Sequence, residues 1–90
     1  MPDTDGQEVE ATLRSILAEV LGLPASRVAA FDDETALFGA LPELDSMAVA
    51  TLLTALEERL GVLIEDDDVS AEDFDSFGRL LSFAKRKALV

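Results

Sequence analysis

Residues 41–49 read LPELDSMAV, and the fold turns on what Ser46 does there. It follows an acid, Asp45, where a loop rich in turn residues gives way to a long apolar-periodic run. An Asp-Ser pair so placed is the ordinary start of a helix, with Ser46 read as its cap, because a short side-chain oxygen accepts from the first free amides. Downstream, Val49, Leu52, Leu53, Leu56 and Leu60 recur at helical spacing and Gly61 offers a stop, which predicts a helix from residue 45 or 46 to residue 60. Met47, Thr51, Thr54 and Glu58 fall on another side of that helix, mild and mostly uncharged.

Working outward, Asp5 and Glu8 have capping-box spacing, and Val9, Leu13, Ile16, Leu17 and Val20 form one stripe of a first helix that Gly22 and Pro24 end. Residues 23–44 show no long period. A connection of that length inside a small domain is uncommon unless it has a job. Val28, Phe31, Leu37, Phe38, Leu41 and Leu44 are spaced to anchor it in a core, and a helical turn near residues 25–28 follows Pro24. Residues 62–64 are β-prone but too few for a sheet and are expected as a buried crossing segment. A short third helix is predicted over residues 66–71, and a fourth, capped by Asp75 or Ser76, should turn Phe77, Leu80, Leu81 and Ala84 inward. The expected fold is an all-α four-helix bundle with a long loop between its first two long helices and a short third helix. Residues 1–90 are expected to form one domain, with residues 1–5 flexible.

The composition limits the chemistry. Ninety residues without Cys or His lack the parts of thiol nucleophiles, disulfides, Cys- or His-based zinc sites and Ser-His triads. Any reactive group should therefore come from outside, and the chain itself is not read as an enzyme. The formal net charge is −12, and all 19 acids precede Gly78 with only three bases beside them, which would repel nucleic acid. Arg79, Lys85, Arg86 and Lys87 gather at the other end, where they suit the negative end of a last helix. No apolar stretch approaches the roughly 20 residues that span a bilayer, and the acidic start is unlike a secretory or mitochondrial leader, so a cytoplasmic monomer without membrane insertion is expected.

The acidic clusters invite a metal or acid-base reading. Starting at Asp66, a calcium loop would need Gly where Ala71 stands and Glu where Phe77 stands, so no metal site is assigned. Adjacent acids such as Glu57 and Glu58, or Asp32 and Asp33, diverge by about 100° on a helix, and nothing puts either pair in a pocket. On the residues alone, Ser46 remains either the cap of an unmodified acidic adaptor or the residue that an anchored loop and a mild helix face are built to present. The second case makes Met47, Ala48 and Thr51 a docking patch ringed by Glu43, Asp45, Glu57 and Glu58.

Leu44-Asp45-Ser46-Met47, followed at the right distance by Ala55-Leu56-Glu57-Glu58 and then Ile64-Glu65-Asp66-Asp67, resembles the acyl carrier protein family over nearly the whole chain. The resemblance implies that Ser46 carries 4′-phosphopantetheine, attached from coenzyme A by a phosphopantetheinyl transferase, and that acyl or aminoacyl groups ride on it as thioesters. It implies further partners, an acyl-activating ligase and a synthase or acyltransferase, and a loading role for Asp45 through the transferase's magnesium. Two departures stand out. Pro42-Glu43-Leu44 replaces the glycine that many fatty-acid carriers have before Asp-Ser, and Ala48 and Thr51 replace acids. The wording ALPELDSMAV is most similar to stand-alone carriers that accompany polysaccharide-export and exosortase gene clusters.

Overall fold

The computed structural model describes residues 6–89. The periodic stretches become α1 (Gly6–Leu21), α3 (Ser46–Leu60) and α4 (Phe77–Ala88), and the turn after Pro24 becomes α2 (Ala25–Ala29). No strand forms among the described residues. Asp5, half of the capping box read at the first helix, and the segment 1–5 expected to be flexible lie outside the described residues.

α1 buries Val9, Leu13, Ile16, Leu17 and Leu21, α3 buries Leu52 and Leu56, and α4 buries Phe77, Leu80, Leu81, Phe83 and Ala84. These side chains meet in one cluster that Val28, Phe31, Leu37, Leu41 and Leu44 of the connection complete. Burial of a side chain of this size contributes about 1.5–3 kcal/mol, which is why so irregular a connection holds one course. Gly61 ends α3 in the left-handed region (φ 67°), where a residue with a Cβ would be strained.

The connection is also fastened along the start of α4. Leu37 and Phe38 donate their amides to the Asp75 and Phe74 carbonyls at 3.1 and 2.9 Å, and Phe77 and Gly78 donate to the Thr35 and Asp33 carbonyls at 2.8 and 3.1 Å. The contact at Gly78 leaves no room for a side chain, since a Cβ there would stand 2.7 Å from the Asp33 carbonyl oxygen. Gly78→Ala is therefore expected to lower stability by about 1–3 kcal/mol through overpacking, against the direction of helix propensity. Urea denaturation checks this, and a stabilised variant would mean that the Asp33 turn yields.

Three expectations are corrected. Phe38 does not anchor the connection: it is 48% exposed. Around an isolated antiparallel bridge between Ala36 and Ser76 the chain is extended, so Leu37 takes the inward place and its neighbours point out. Residues 62–64 alternate for the same reason, with Val62 and Ile64 half-buried and Leu63 68% exposed. The third helix is two 3-10 turns, Asp66–Asp68 and Ala71–Phe74, because Val69 and Ser70 are extended between them. The Asp68 and Asp73 carboxylates accept from the Glu65 and Ser70 amides at 2.8 and 2.9 Å, local bonds that compete with a continuous helix.

Arg14 has a part that periodicity could not reveal. Its guanidinium pairs with Glu10 at 2.6 Å, donates to the Val28 carbonyl at 2.7 Å, and lies 4.4 Å from the centroid of the Phe77 ring. One side chain thus joins α1 to the end of α2 and the start of α4.

Candidate functional site

The start of α3 settles which residue caps it. Asp45 has extended backbone, its Oδ1 accepts from the Ala48 amide at 2.8 Å, and its carbonyl accepts from the Val49 amide at 2.9 Å. Ser46 is therefore the first helical residue, exposed, and its hydroxyl is not the cap. The reading of Ser46 as only a helix cap fails on this geometry. The amides of Ser46 and Met47 precede the first intrahelical bond at the positive end of a 15-residue helix, a setting that favours an anion such as a phosphodiester.

Beside Ser46 lies a cleft of about 300 Å³. Val49 and Leu53, assigned to the core stripe of α3, are only half-buried and form one side of it. Phe38 closes a second side, and Val69, Ser70, Ala71 and Phe74 form the third. The exposure of Phe38, against expectation, is what gives this cleft an aromatic wall.

The other residues singled out from the sequence divide into those that face solvent and those already engaged. Met47 is 79% exposed, so it is not part of the core. Thr51 is exposed too, and its hydroxyl donates to the Met47 carbonyl at 3.1 Å, as Thr54 does to Ala50, which leaves the surface of these two turns less polar than its composition suggests. Ala48 is half-buried. Glu43 stands 3.9 Å from Arg27 of α2. Glu57 corrects the expected ring of free acids: its carboxylate accepts the Ile64 amide at 2.8 Å and pins the chain that leaves α3, while Glu58 stays exposed. The Asp68 carboxyl is held below the usual aspartate range, first by the Glu65 amide and then by Lys87. Among the described residues, no three His, Cys, Asp or Glu side chains are grouped to hold a metal ion, and no helix is long and apolar enough to cross a membrane.

Ser46 thus stands exposed at the N-terminus of a long helix, beside an apolar cleft, in a chain without Cys. The family model described as a phosphopantetheine attachment site matches residues 11–83. The chain belongs to this family, that of the acyl carrier proteins: it is a carrier, not a catalyst, and its cofactor is a covalently attached 4′-phosphopantetheine. Among solved structures it is similar to the solution NMR structure of a holo acyl carrier protein from Nitrosomonas europaea, with 41% identity and a TM-score of 0.77 over 89% of this chain and 94% of that one. No match was found among the curated proteins. A carrier of this family interacts with a phosphopantetheinyl transferase and with biosynthetic enzymes that use its cargo.

Proposed function

We propose that Ser46 is the attachment residue, and that the protein carries acyl or aminoacyl groups as thioesters on the arm anchored there. One observation carries the assignment: Asp45 takes the capping role, which leaves the Ser46 hydroxyl exposed at the positive end of α3 with an apolar cleft beside it. When bound, the arm supplies the thiol that the chain lacks. The chain's own residues hold its phosphate end, through the first amides of α3, and offer the cleft to the apolar part of a cargo, where each buried methylene contributes about 0.8 kcal/mol. The holo state of the Nitrosomonas europaea neighbour supports the reading. The working setting is the cytoplasm, where a transferase, an acyl-activating ligase and a synthase or acyltransferase take turns at the site. Intact mass after incubation with coenzyme A, magnesium and a transferase tests it: the protein should gain one phosphopantetheine, and no gain would sink it.

Docking of those enzymes is assigned to Met47, Ala48 and Thr51, with Glu43, Asp45 and Glu58 at the edge; Glu57 contributes charge from an engaged position. Edge acids act mainly on the rate of encounter and apolar contact mainly on the lifetime of a complex. Met47→Ala is expected to shorten the lifetime of the complex with the transferase while changing fold stability by no more than about 0.5 kcal/mol, as for an exposed residue. Glu58→Gln should instead slow association and flatten its salt dependence. Surface plasmon resonance at two ionic strengths separates the two, and a Met47→Ala complex of undiminished lifetime would move the patch elsewhere.

A further inference from the structure

Residues 65–73 form the segment that brings Val69, Ser70 and Ala71 to one wall of the cleft beside Ser46, with Val69 packed against the core. Beyond that packing, backbone bonds hold it at the two ends, where Ile64 donates its amide to Glu57 and the Phe74 carbonyl accepts the Phe38 amide at 2.9 Å. Between them Val69 and Asp73 are half-buried and the other residues are exposed. The segment holds six acids and no base, so its own charge pushes it toward solvent. What meets that charge comes from the end of α4. Lys87 Nζ lies 2.9 Å from Asp68 Oδ2, and the Arg86 guanidinium lies 3.9 Å from Asp73 Oδ1 and 5.5 Å from the centroid of the buried Phe83 ring. Asp68 and Asp73 are the same two carboxylates that close the 3-10 turns by accepting the Glu65 and Ser70 amides. Loss of the α4 cations therefore acts on the internal bonds of the wall as well as on its position.

We propose that the basic end of α4 is a latch on this wall: Lys87 and Arg86 are positioning residues that hold residues 65–73 against the cleft. Opening of the cleft then requires two ion pairs to part as well as Val69 to leave the core. Partly exposed pairs are weak, the two together worth about two- to fivefold in an equilibrium, which suits a wall that must open each time a cargo moves in or out. The passage of cargo through the cleft rests on the assignment of Ser46, whereas the latch is a property of the unmodified chain.

Amide hydrogen exchange on the unmodified protein, comparing wild type with Lys87→Gln/Arg86→Gln at low ionic strength, reads the latch directly. Exchange at the Glu65, Asp68, Ser70 and Asp73 amides should be about two- to fivefold faster in the variant. The Leu13 and Leu52 amides, in the cores of α1 and α3, should not change. The difference should shrink at about 0.5 M salt, where exposed charges are screened, and Lys87→Arg/Arg86→Lys should behave as wild type. Unchanged exchange in the wall, or equal acceleration at Leu13 and Leu52, would overturn the latch. A second arm loads both proteins with octanoyl-phosphopantetheine and follows cleavage of the thioester by hydroxylamine, which should also quicken about two- to fivefold in the variant. Failure to load would refute the Ser46 assignment while the exchange data still decide the latch. A faster-exchanging wall with an unchanged cleavage rate would show that the wall does not control the cleft.

Discussion

Ser46→Ala, incubated with coenzyme A, magnesium and a phosphopantetheinyl transferase, is expected to gain no mass under conditions where the wild type gains one phosphopantetheine. The effect is all-or-none because the substitution removes the only atom that can form the phosphodiester at that position. It should leave the fold intact. The cap of α3 belongs to Asp45, whose side chain bonds the Ala48 amide, and an exposed first-turn Ser→Ala change is expected to stay within about 0.5 kcal/mol. Unchanged melting with lost loading thus distinguishes a missing nucleophile from a disturbed helix. The other serines have different settings. Ser15 donates to Glu19, Ser76 caps α4 by accepting the Arg79 amide, and Ser26 and Ser82 are exposed away from the cleft. Ser70 is the instructive rival, since it shares the cleft with Ser46, but it lies between two 3-10 turns and has no long helix behind it to favour an anion. Equal labelling of the Ser46→Ala protein would reassign the site, with Ser70→Ala the next variant to load.

The largest expected loss of stability is at Phe77. Its ring is 1% exposed, lies edge-on to Phe31 with centroids 6.0 Å apart, and receives the Arg14 guanidinium on its face. Phe77→Ala removes a side chain that joins α4, the connection and α1 at once, and the cavity cannot close without moving all three. A loss of about 3–5 kcal/mol is expected, enough in a domain of this size to lower the melting temperature by about 12 °C or more. Phe77→Leu keeps most of the volume but not the ring face, and should fall between wild type and Phe77→Ala. Thermal denaturation followed by circular dichroism orders the three. A Phe77→Ala protein within a few degrees of wild type would show that the Arg14 and Phe31 contacts re-form around a smaller side chain.

The two long helices before residue 61 were legible in the sequence because their signals are local. Apolar spacing at i, i+3 and i+4 and the glycine stops at Gly22 and Gly61 depend on the chain within a turn or two, and they place Leu13, Ile16, Leu52 and Leu56 inward whatever surrounds them. The carrier role was legible for another reason: with no Cys or His, little chemistry was left except a borrowed group, and the wording around Ser46 resembles a family that borrows one. The cap was not legible. Asp45 and Ser46 are both good capping types, and which of them closes α3 depends on the path by which the preceding loop, held by Leu41 and Leu44, arrives at the helix. The exposure of Phe38 and Leu63 was not legible because, in extended segments, burial goes to whichever alternate residue meets a neighbour distant in sequence, and here Leu37 and the half-buried Val62 and Ile64 meet it. Glu57 has the composition of a solvent-facing acid, and only the return of the chain past Ile64 turns it to an internal bond. By itself, then, the sequence determined the helices, because propensity and periodicity are properties of short stretches, and its lack of Cys and His limited the chemistry the chain could supply itself. Only the tertiary structure decided that Asp45 would cap α3 and leave Ser46 exposed beside a cleft whose walls come from Phe38, α3 and residues 69–74, because those walls are brought together by contacts such as that of Phe38 with Phe74, 36 residues away.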